Sequence, residues 1–222
     1  EETNLRLTLL VDRSGSMAYG DGESNKFDYS ASIAASLAYL ALRQKDATAL
    51  FTFDTAVRAS VPAKSHQQQL THILSVLDSV GADGRTDLRQ VAREVAQGIP
   101  RRGLVIIISD LLGVDRLVEG LRVLRQRGHD VAIFHVLHDD ELDFEFNGAT
   151  RFEGLETDDF LNCNPRALRE GYLEALQSFL DQTRKACGRL SIEYMLVRTS
   201  DPLDAVLAKF LSTRQSLPKL KH

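Results

Sequence analysis

The chain has 222 residues, of which 43% are hydrophobic and 26% charged, and its net charge is −4 at neutral pH. These values are ordinary for a globular protein. The hydrophobic residues are numerous enough to form the core of one large α/β domain. The acidic balance argues against nucleic acid as the main ligand, because a domain that binds nucleic acid is expected to carry a basic surface. No apolar run approaches the roughly 20 residues of a membrane-spanning helix, so we predict no membrane segment.

Short apolar runs alternate with stretches of helical periodicity along the chain. We predict strands at 5–11, 47–53, 57–61, 103–109, 131–137 and 192–197. We predict helices at 27–42, 70–80, 88–96, 114–124, 165–187 and 203–211. This alternation is typical of an α/β fold: a doubly wound, mostly parallel six-stranded sheet with helices on both faces, in which the short third strand lies at an edge. We expect a single domain over residues 1–214, with an irregular acidic insertion at 139–163 and a frayed tail at 215–222.

Oxygen-bearing side chains follow two of these strands. Asp12, Ser14 and Ser16 come after the first strand, and Asp110 ends the fourth. If the strand order is 3-2-1-4-5-6, these strands are neighbours where the order reverses, and ligands bind at the carboxyl ends of strands at that point. Thr86 lies in the loop before the helix that leads into the fourth strand, so all five side chains are expected to share one crevice.

Carboxylate and hydroxyl oxygens suit Mg²⁺, and Mn²⁺ or Ca²⁺ are acceptable substitutes. Hydroxyls are neutral and cancel little of the cation's charge. Such a site keeps an affinity for one more anionic oxygen, which we expect another molecule to supply.

The Asp-x-Ser-x-Ser sequence at 12–16, the Gly-x-Thr at 84–86 and the strand-ending Asp110 resemble the metal-ion-dependent adhesion site of von Willebrand factor A domains. The resemblance covers residues 5–211 and implies the Rossmann-like fold of that family. It also implies that Ser14, Ser16 and Thr86 contact the metal directly. Asp12 and Asp110 would act mainly through water or hydrogen bonds, and an Asp or Glu of a partner protein would complete the coordination.

Residues 139–156 resemble a segment of a prokaryotic group with this fold, the domain of unknown function 58. Members of that group are often encoded beside MoxR-type AAA+ ATPases. The resemblance implies an intracellular protein-binding role, with such an ATPase as a candidate partner in assembling or activating other proteins. We therefore expect a cytoplasmic interaction module and not an enzyme.

Other interpretations of the same residues stay open. Asp-x-Ser-x-Ser is also compatible with a serine-rich turn that caps the following helix. A Mg²⁺-dependent hydrolase or phosphotransferase would use Asp12 as its nucleophile, but Ser14 stands where such phosphatases carry a second carboxylate. A serine hydrolase is disfavoured because Ser14-Gly15-Ser16 lacks the preceding glycine of a nucleophile elbow. A scaffold that binds partners without metal is the remaining alternative.

Three further features have two interpretations each. Arg13 is either solvated, which we favour, or recruits an acidic group of a partner. His135 and His138 suggest a transition-metal site, but their spacing on a strand favours separate structural roles. The segment 139–159 contains nine acidic residues and one basic residue, and it is either a solvated hairpin, which we favour, or a surface for a basic partner.

Aromatic and sulfur-containing side chains complete these expectations. Phe144, Phe146 and Phe152 interleave with the acidic residues and indicate that this segment is anchored on the domain. Cys163 and Cys187 lie far apart in the sequence and are expected to be free thiols in a reducing compartment.

Overall fold

The structure, a computed structural model, describes residues 5–21, 25–79, 81–82, 87–99, 101–112, 114–148, 150–155 and 160–216. Its strands are β1 (Arg6–Asp12), β2 (Ala47–Phe53), β3 (Val57–Lys64), β4 (Leu104–Ser109), β5 (Asp130–Leu137), β6 (Thr150–Glu153), β7 (Phe160–Cys163) and β8 (Glu193–Arg198). Its helices are α1 (Lys26–Arg43), α2 (Gln68–Ser79), α3 (Leu88–Gly98), α4 (Val114–Gln126), α5 (Asp139–Asp143), α6 (Pro165–Arg189) and α7 (Leu203–Ser216).

Six of these strands form one sheet in the order β3-β2-β1-β4-β5-β8. Strand β1 pairs in parallel with both β2 and β4, and the ladder continues in parallel through β5 to β8. Only β3, at the edge, is antiparallel among the described strands of this sheet. The predicted mostly parallel six-stranded sheet is confirmed, and the chain order reverses between β1 and β4.

Helices cover both faces of the sheet because side chains on successive strand residues point to opposite sides. On one face, Leu9 of β1 and Ile106 of β4 share a buried cluster with Ile33 of α1. On the other, Ile107 of β4 lies in a second cluster with Val95 of α3. The continuous apolar sequence of β4 follows from burial on both faces.

Close contact between β1 and β4 depends on a glycine. A Cβ atom built at Gly103 would lie 2.4 Å from the carbonyl oxygen of Arg6. Since the clashing atom belongs to the backbone, a side chain there would push apart the two strands that carry the candidate site.

Residues 139–163, predicted to be an irregular insertion, contain regular elements in the part that the structure describes. These elements are α5 and the antiparallel hairpin β6–β7. The ring of His138 accepts a hydrogen bond from the Asp140 amide, and Glu141 completes a capping box at the start of α5. Four stacked or edge-packed rings then join the segment to α6: Phe144, Phe146, Phe152 and Tyr172. The predicted aromatic anchoring is confirmed.

Helix α7 continues through Ser216, so the frayed tail predicted from residue 215 does not start there, and residues 217–222 lie outside the described part of the chain. Cys163 and Cys187 are both free thiols, as predicted. None of the helices within the described residues combines the length and the apolar character that crossing a membrane requires.

Candidate functional site

Asp12 ends β1, and its side chain accepts hydrogen bonds from the turn after β1 and from the end of β4. The residue is completely buried. Its Oδ1 accepts a hydrogen bond from the Ser14 amide at 2.9 Å, which closes the turn after β1. Its Oδ2 accepts a hydrogen bond from the Ser109 hydroxyl at 2.5 Å, from the end of β4. The carboxylate is therefore fixed at the boundary between β1 and β4.

The two serines of the predicted motif lie side by side. Ser14 and Ser16 are buried, and their hydroxyl oxygens are 3.2 Å apart. A 3₁₀ turn at Gly15–Ala18 brings them together, and the buried side chain of Met17 anchors that turn in the core. Pairs of hydroxyls at this separation are able to contact one small cation.

Asp110 follows the last residue of β4 and is also completely buried. Its Oδ2 accepts a hydrogen bond from the ammonium group of Lys26 at 2.8 Å. The same ammonium group donates to Glu141 Oε1 at 2.7 Å. Lys26 is the first residue of α1, and its side chain is 0% exposed.

The sequence analysis did not predict that Lys26 and Glu141 belong to the site. A signal was available, because a lysine in the first turn of a helix opposes the helix dipole and so indicates a specific anionic partner. Glu141 lies 115 residues further along the chain, and only the arrangement of β4, β5 and α5 shows that it is that partner.

Two buried carboxylates lie close to each other in this crevice. Burial, followed by the negative charge of Asp110, raises the pKa of Asp12 to about 7, although hydrogen bonds from Ser109 and Ser14 act in the opposite direction. A cation placed between the two carboxylates would relieve both effects. Burial lowers the pKa of Lys26, but the charges of Asp110 and Glu141 outweigh it, so its net pKa is raised. Lys26 is therefore an ammonium ion.

The predicted metal ligand Thr86 lies outside the described residues. The next residue, Asp87, caps α3, and its amide donates to the carbonyl oxygen of Asp54 at 3.1 Å, just beyond β2. The Arg13 amide donates to the neighbouring Phe53 carbonyl at 2.7 Å. The start of α3 is therefore held at the same edge of the sheet as the motif after β1.

Arg13 has a role that neither sequence interpretation anticipated. Its guanidinium group donates two hydrogen bonds to the carbonyl oxygen of Gly81, at 2.9 and 2.6 Å. It therefore links the loop after β1 to the chain that precedes Thr86. Since backbone carbonyls carry no sequence signature, this contact was not predictable from the residues alone.

The two histidines have separate structural roles, as favoured from the sequence. His135 is buried, and its Nδ1 lies 2.7 Å from the Tyr194 hydroxyl. Burial lowers the pKa of His135 to about 4, so the ring is neutral at neutral pH. His138 caps α5. In the described part of the chain, no three or more His, Cys, Asp or Glu side chains are grouped so that they could hold a metal ion.

Most acidic residues described between 139 and 153 have partners within the chain. Arg198 forms ion pairs with Asp139 and Asp143 at 3.0 and 2.8 Å. Tyr19 donates to Asp140 at 3.1 Å, and Arg151 pairs with Glu153 at 3.0 Å. These pairs neutralise part of the acidic charge, although Asp140, Asp143 and Glu153 remain 49%, 44% and 65% exposed. The solvated hairpin and the surface for a basic partner both stay predictions. Residues 156–159 of the predicted acidic stretch lie outside the described residues.

Four of the five predicted site residues therefore meet where β1 and β4 end: Asp12, Ser14, Ser16 and Asp110. Their donor atoms are carboxylate and hydroxyl oxygens, which is the chemistry that Mg²⁺ prefers. Two buried carboxylates with one lysine beside them give an electrostatic environment that favours an additional cation. The residues fit a divalent ion of this kind.

Comparisons with known proteins give both related sequences and similar folds. Uncharacterised proteins of Mycobacterium tuberculosis and Mycobacterium bovis are 24% identical over 222 residues, a match that covers 96% of this chain and 68% of each relative. Among solved structures, an aerotolerance-related membrane protein from Bacteroides fragilis has a TM-score of 0.66 at 12% identity. The conserved hypothetical protein BatB from Bacteroides thetaiotaomicron has a TM-score of 0.60 at 14% identity.

Both structural matches cover 96% of this chain and 100% of the other, and at such identities they show a shared fold alone. The family model described as "Protein of unknown function DUF58" matches residues 1–179, which is most of the chain. The chain therefore belongs to the DUF58 family of proteins of unknown function.

Proposed function

We propose that this chain is a divalent-cation-dependent protein-interaction module with the metal-ion-dependent adhesion site of a von Willebrand factor A domain, and that it is not an enzyme. The observation that carries the proposal is the meeting of Asp12 and Asp110, both fully buried, at the ends of neighbouring parallel strands. The paired hydroxyls of Ser14 and Ser16 lie in the turn directly after Asp12. Such a set of oxygen atoms is suited to Mg²⁺, with Mn²⁺ or Ca²⁺ as substitutes.

In the proposed site, Ser14, Ser16 and Thr86 would hold the cation directly, as the resemblance implies. Asp12 and Asp110 orient bound water or the hydroxyl groups. When bound, the cation would supply a positive centre suited to a carboxylate from an Asp or Glu of a partner protein. Because the directly bound protein ligands are neutral, the cation keeps most of its charge for that partner.

The burial of Asp12 supports binding over catalysis. A carboxylate nucleophile must reach its substrate, whereas both oxygens of Asp12 accept hydrogen bonds from the chain itself. A metal-independent scaffold is the second candidate function. It is favoured by one observation, the ammonium group of Lys26, which already balances part of the negative charge in the crevice.

We further propose that the module works in the cytoplasm with a MoxR-type AAA+ ATPase in assembling or activating other proteins. The support is the resemblance of residues 139–156 to the family segment, together with membership of the DUF58 family.

Affinity capture from a lysate of the native host tests the protein-interaction role. Wild-type protein is immobilised and exposed to the lysate in Mg²⁺ and in chelator, beside a Ser14→Ala/Ser16→Ala double variant. Ser60→Ala, at an exposed position of β3, is the matched control. We expect the same partner, identified by mass spectrometry, to be retained by wild type and Ser60→Ala only in Mg²⁺. Equal retention of that partner in chelator would favour the metal-independent scaffold.

A further inference from the structure

The side chain of Lys26 is completely buried, and it joins two elements that are far apart in the sequence. Fully buried lysines are rare, because removing an ammonium group from water is unfavourable unless anionic partners are close. Lys26 has two such partners, Asp110 of the candidate site at 2.8 Å and Glu141 of α5 at 2.7 Å. Asp110 is fully buried as well, whereas the Glu141 side chain is 22% exposed.

The position of Lys26 is also unfavourable for local reasons. It is the first residue of α1, where the positive end of the helix dipole repels a cation. Its amide donates to the Tyr19 carbonyl at 3.0 Å, so the start of α1 is tied to the end of the 3₁₀ turn that carries Ser16. The lysine is thus held beside the candidate site by the backbone and by two ion pairs.

A divalent cation in the crevice and the Lys26 ammonium group would share Asp110. The ammonium group already occupies Asp110 Oδ2. Two cations that interact with the same buried carboxylate repel each other, so the ammonium group would oppose metal binding unless it moves away from Asp110. Glu141 Oε1, already bonded to the same ammonium group, provides a place for it to move to.

We infer that Lys26 is the resident counter-cation of the candidate metal site. It balances Asp110 when no metal is bound, so that the crevice stays folded in that state. It also weakens divalent-cation binding, which then requires the ammonium group to shift from Asp110 towards Glu141. This inference rests on the proposed function, because it concerns the regulation of the same site.

Calorimetric titration of Mg²⁺ into metal-free wild-type and Lys26→Met proteins tests the inference. Methionine keeps an unbranched side chain only one atom shorter than that of lysine and removes its charge. We expect Lys26→Met to bind Mg²⁺ at least about tenfold more tightly than wild type, because the repulsion is gone. In chelator we expect its melting temperature to fall below that of wild type, because two carboxylates lose their partner. Saturating Mg²⁺ should reverse most of that loss.

The outcomes separate the inference from the proposed function. If both proteins bind Mg²⁺ with the same affinity, or Lys26→Met binds more weakly, the counter-cation role is wrong and the metal site stands. If neither protein binds Mg²⁺, Mn²⁺ or Ca²⁺, the metal site itself is wrong and the inference falls with it.

A second pair of variants keeps the inference testable if Lys26→Met does not fold. Glu141→Gln removes the negative charge towards which the ammonium group shifts, and Asp140→Asn removes one negative charge from the adjacent, half-exposed residue of α5. We expect Glu141→Gln to weaken Mg²⁺ binding at least about fivefold, and Asp140→Asn to change it less than about twofold because solvent screens its charge. Equal effects of the two variants would contradict the inference.

Discussion

The hydroxyl of Ser109 donates a hydrogen bond of 2.5 Å to Oδ2 of Asp12, across the boundary between β4 and β1. The same hydroxyl oxygen accepts a hydrogen bond from the Leu111 amide at 2.9 Å. Ser109 therefore connects the two carboxyl-terminal strand ends on which the candidate site depends. Its position follows from the register, in which Val11 is paired with Ile108 and the next residues of the two strands are Asp12 and Ser109.

Replacing Ser109 with alanine should destabilise the protein. The change removes the hydrogen bonds that the Ser109 hydroxyl forms with a buried carboxylate and with a buried amide, and each such loss costs about 1–3 kcal/mol. We expect a comparable decrease in the free energy of unfolding, measured by urea denaturation at neutral pH. Ser60→Ala should leave it within about 0.5 kcal/mol, as is usual for exposed positions. A Ser109→Ala protein as stable as wild type would show that the hydrogen bond does not hold Asp12.

Gly103→Ala should also destabilise the fold, because its Cβ atom would lie 2.4 Å from the Arg6 carbonyl oxygen. Forcing a methyl group into a packed interior costs about 1–3 kcal/mol. The matched control is Gly171→Ala, which lies in α6 with nothing near its added Cβ atom. That change should stabilise the helix by up to about 1 kcal/mol. Thermal and urea unfolding of both variants should therefore shift in opposite directions.

The ion pairs of Arg198 should make stability depend on pH. A hydrogen bond from Arg198 lowers the pKa of Asp143. Burial raises the pKa of Asp139, but hydrogen bonds from Ser200 and Arg198 outweigh it, and the net pKa is lowered. A lowered folded-state pKa gives stability that is present above the unfolded value of about 3.9 and is lost as the pH falls below it.

Arg198→Met should accordingly be less stable than wild type at neutral pH. The difference is expected to stay below about 1 kcal/mol, because the side chains of this network are all partly exposed and solvent screens them. Urea unfolding from neutral pH downwards should show a constant difference that shrinks below about pH 4. A difference that grows on acidification would contradict the assignment.

The β6–β7 hairpin should depend on the aromatic cluster that holds it. Phe144 is buried and stacks on Tyr172, with ring centroids 4.2 Å apart. Phe144→Ala should remove the hydrogen-exchange protection of residues 150–153 and 160–163 while β4 keeps its own, because this cluster is separate from the main core. Leu74→Ala, at a side chain of α2 that is 38% exposed, is the control and should leave both regions unchanged. Loss of protection in β4 would show that the segment is part of the main core.

Arg13→Met should weaken Mg²⁺ binding without a large loss of stability. The change removes two hydrogen bonds to Gly81 and so releases the chain that precedes Thr86. We expect the affinity for Mg²⁺ to fall several-fold in a calorimetric titration, because a ligand must then be ordered when the metal binds. Arg43→Met, on the exposed end of α1, should bind as wild type does. An unchanged affinity of Arg13→Met for Mg²⁺ would show that Arg13 does not support the metal site.

The parts of the fold that depend on local pattern were predictable. The alternation of apolar runs with helical periodicity was sufficient to predict the mostly parallel sheet. Asp12 and Asp110 lie at the ends of neighbouring strands, as expected for the assumed strand order. Contacts that depend on the reach of long side chains were not predictable, as the bonds from Lys26 to Asp110 and from Arg13 to Gly81 show. The ring packing of Phe144 against α6 was indicated by the phenylalanines of that segment, whereas α5 was not predicted, because it is short and begins with a histidine cap.

The most direct test of the candidate metal site is a calorimetric titration of Mg²⁺ into chelator-treated wild-type protein and into the Ser14→Ala/Ser16→Ala variant, with Ser60→Ala as control. We expect saturable binding of one ion to wild type and to Ser60→Ala, and loss of that binding in the double variant. Saturable binding of equal affinity in all three proteins, or its absence from folded wild type, would contradict a metal site formed by these residues.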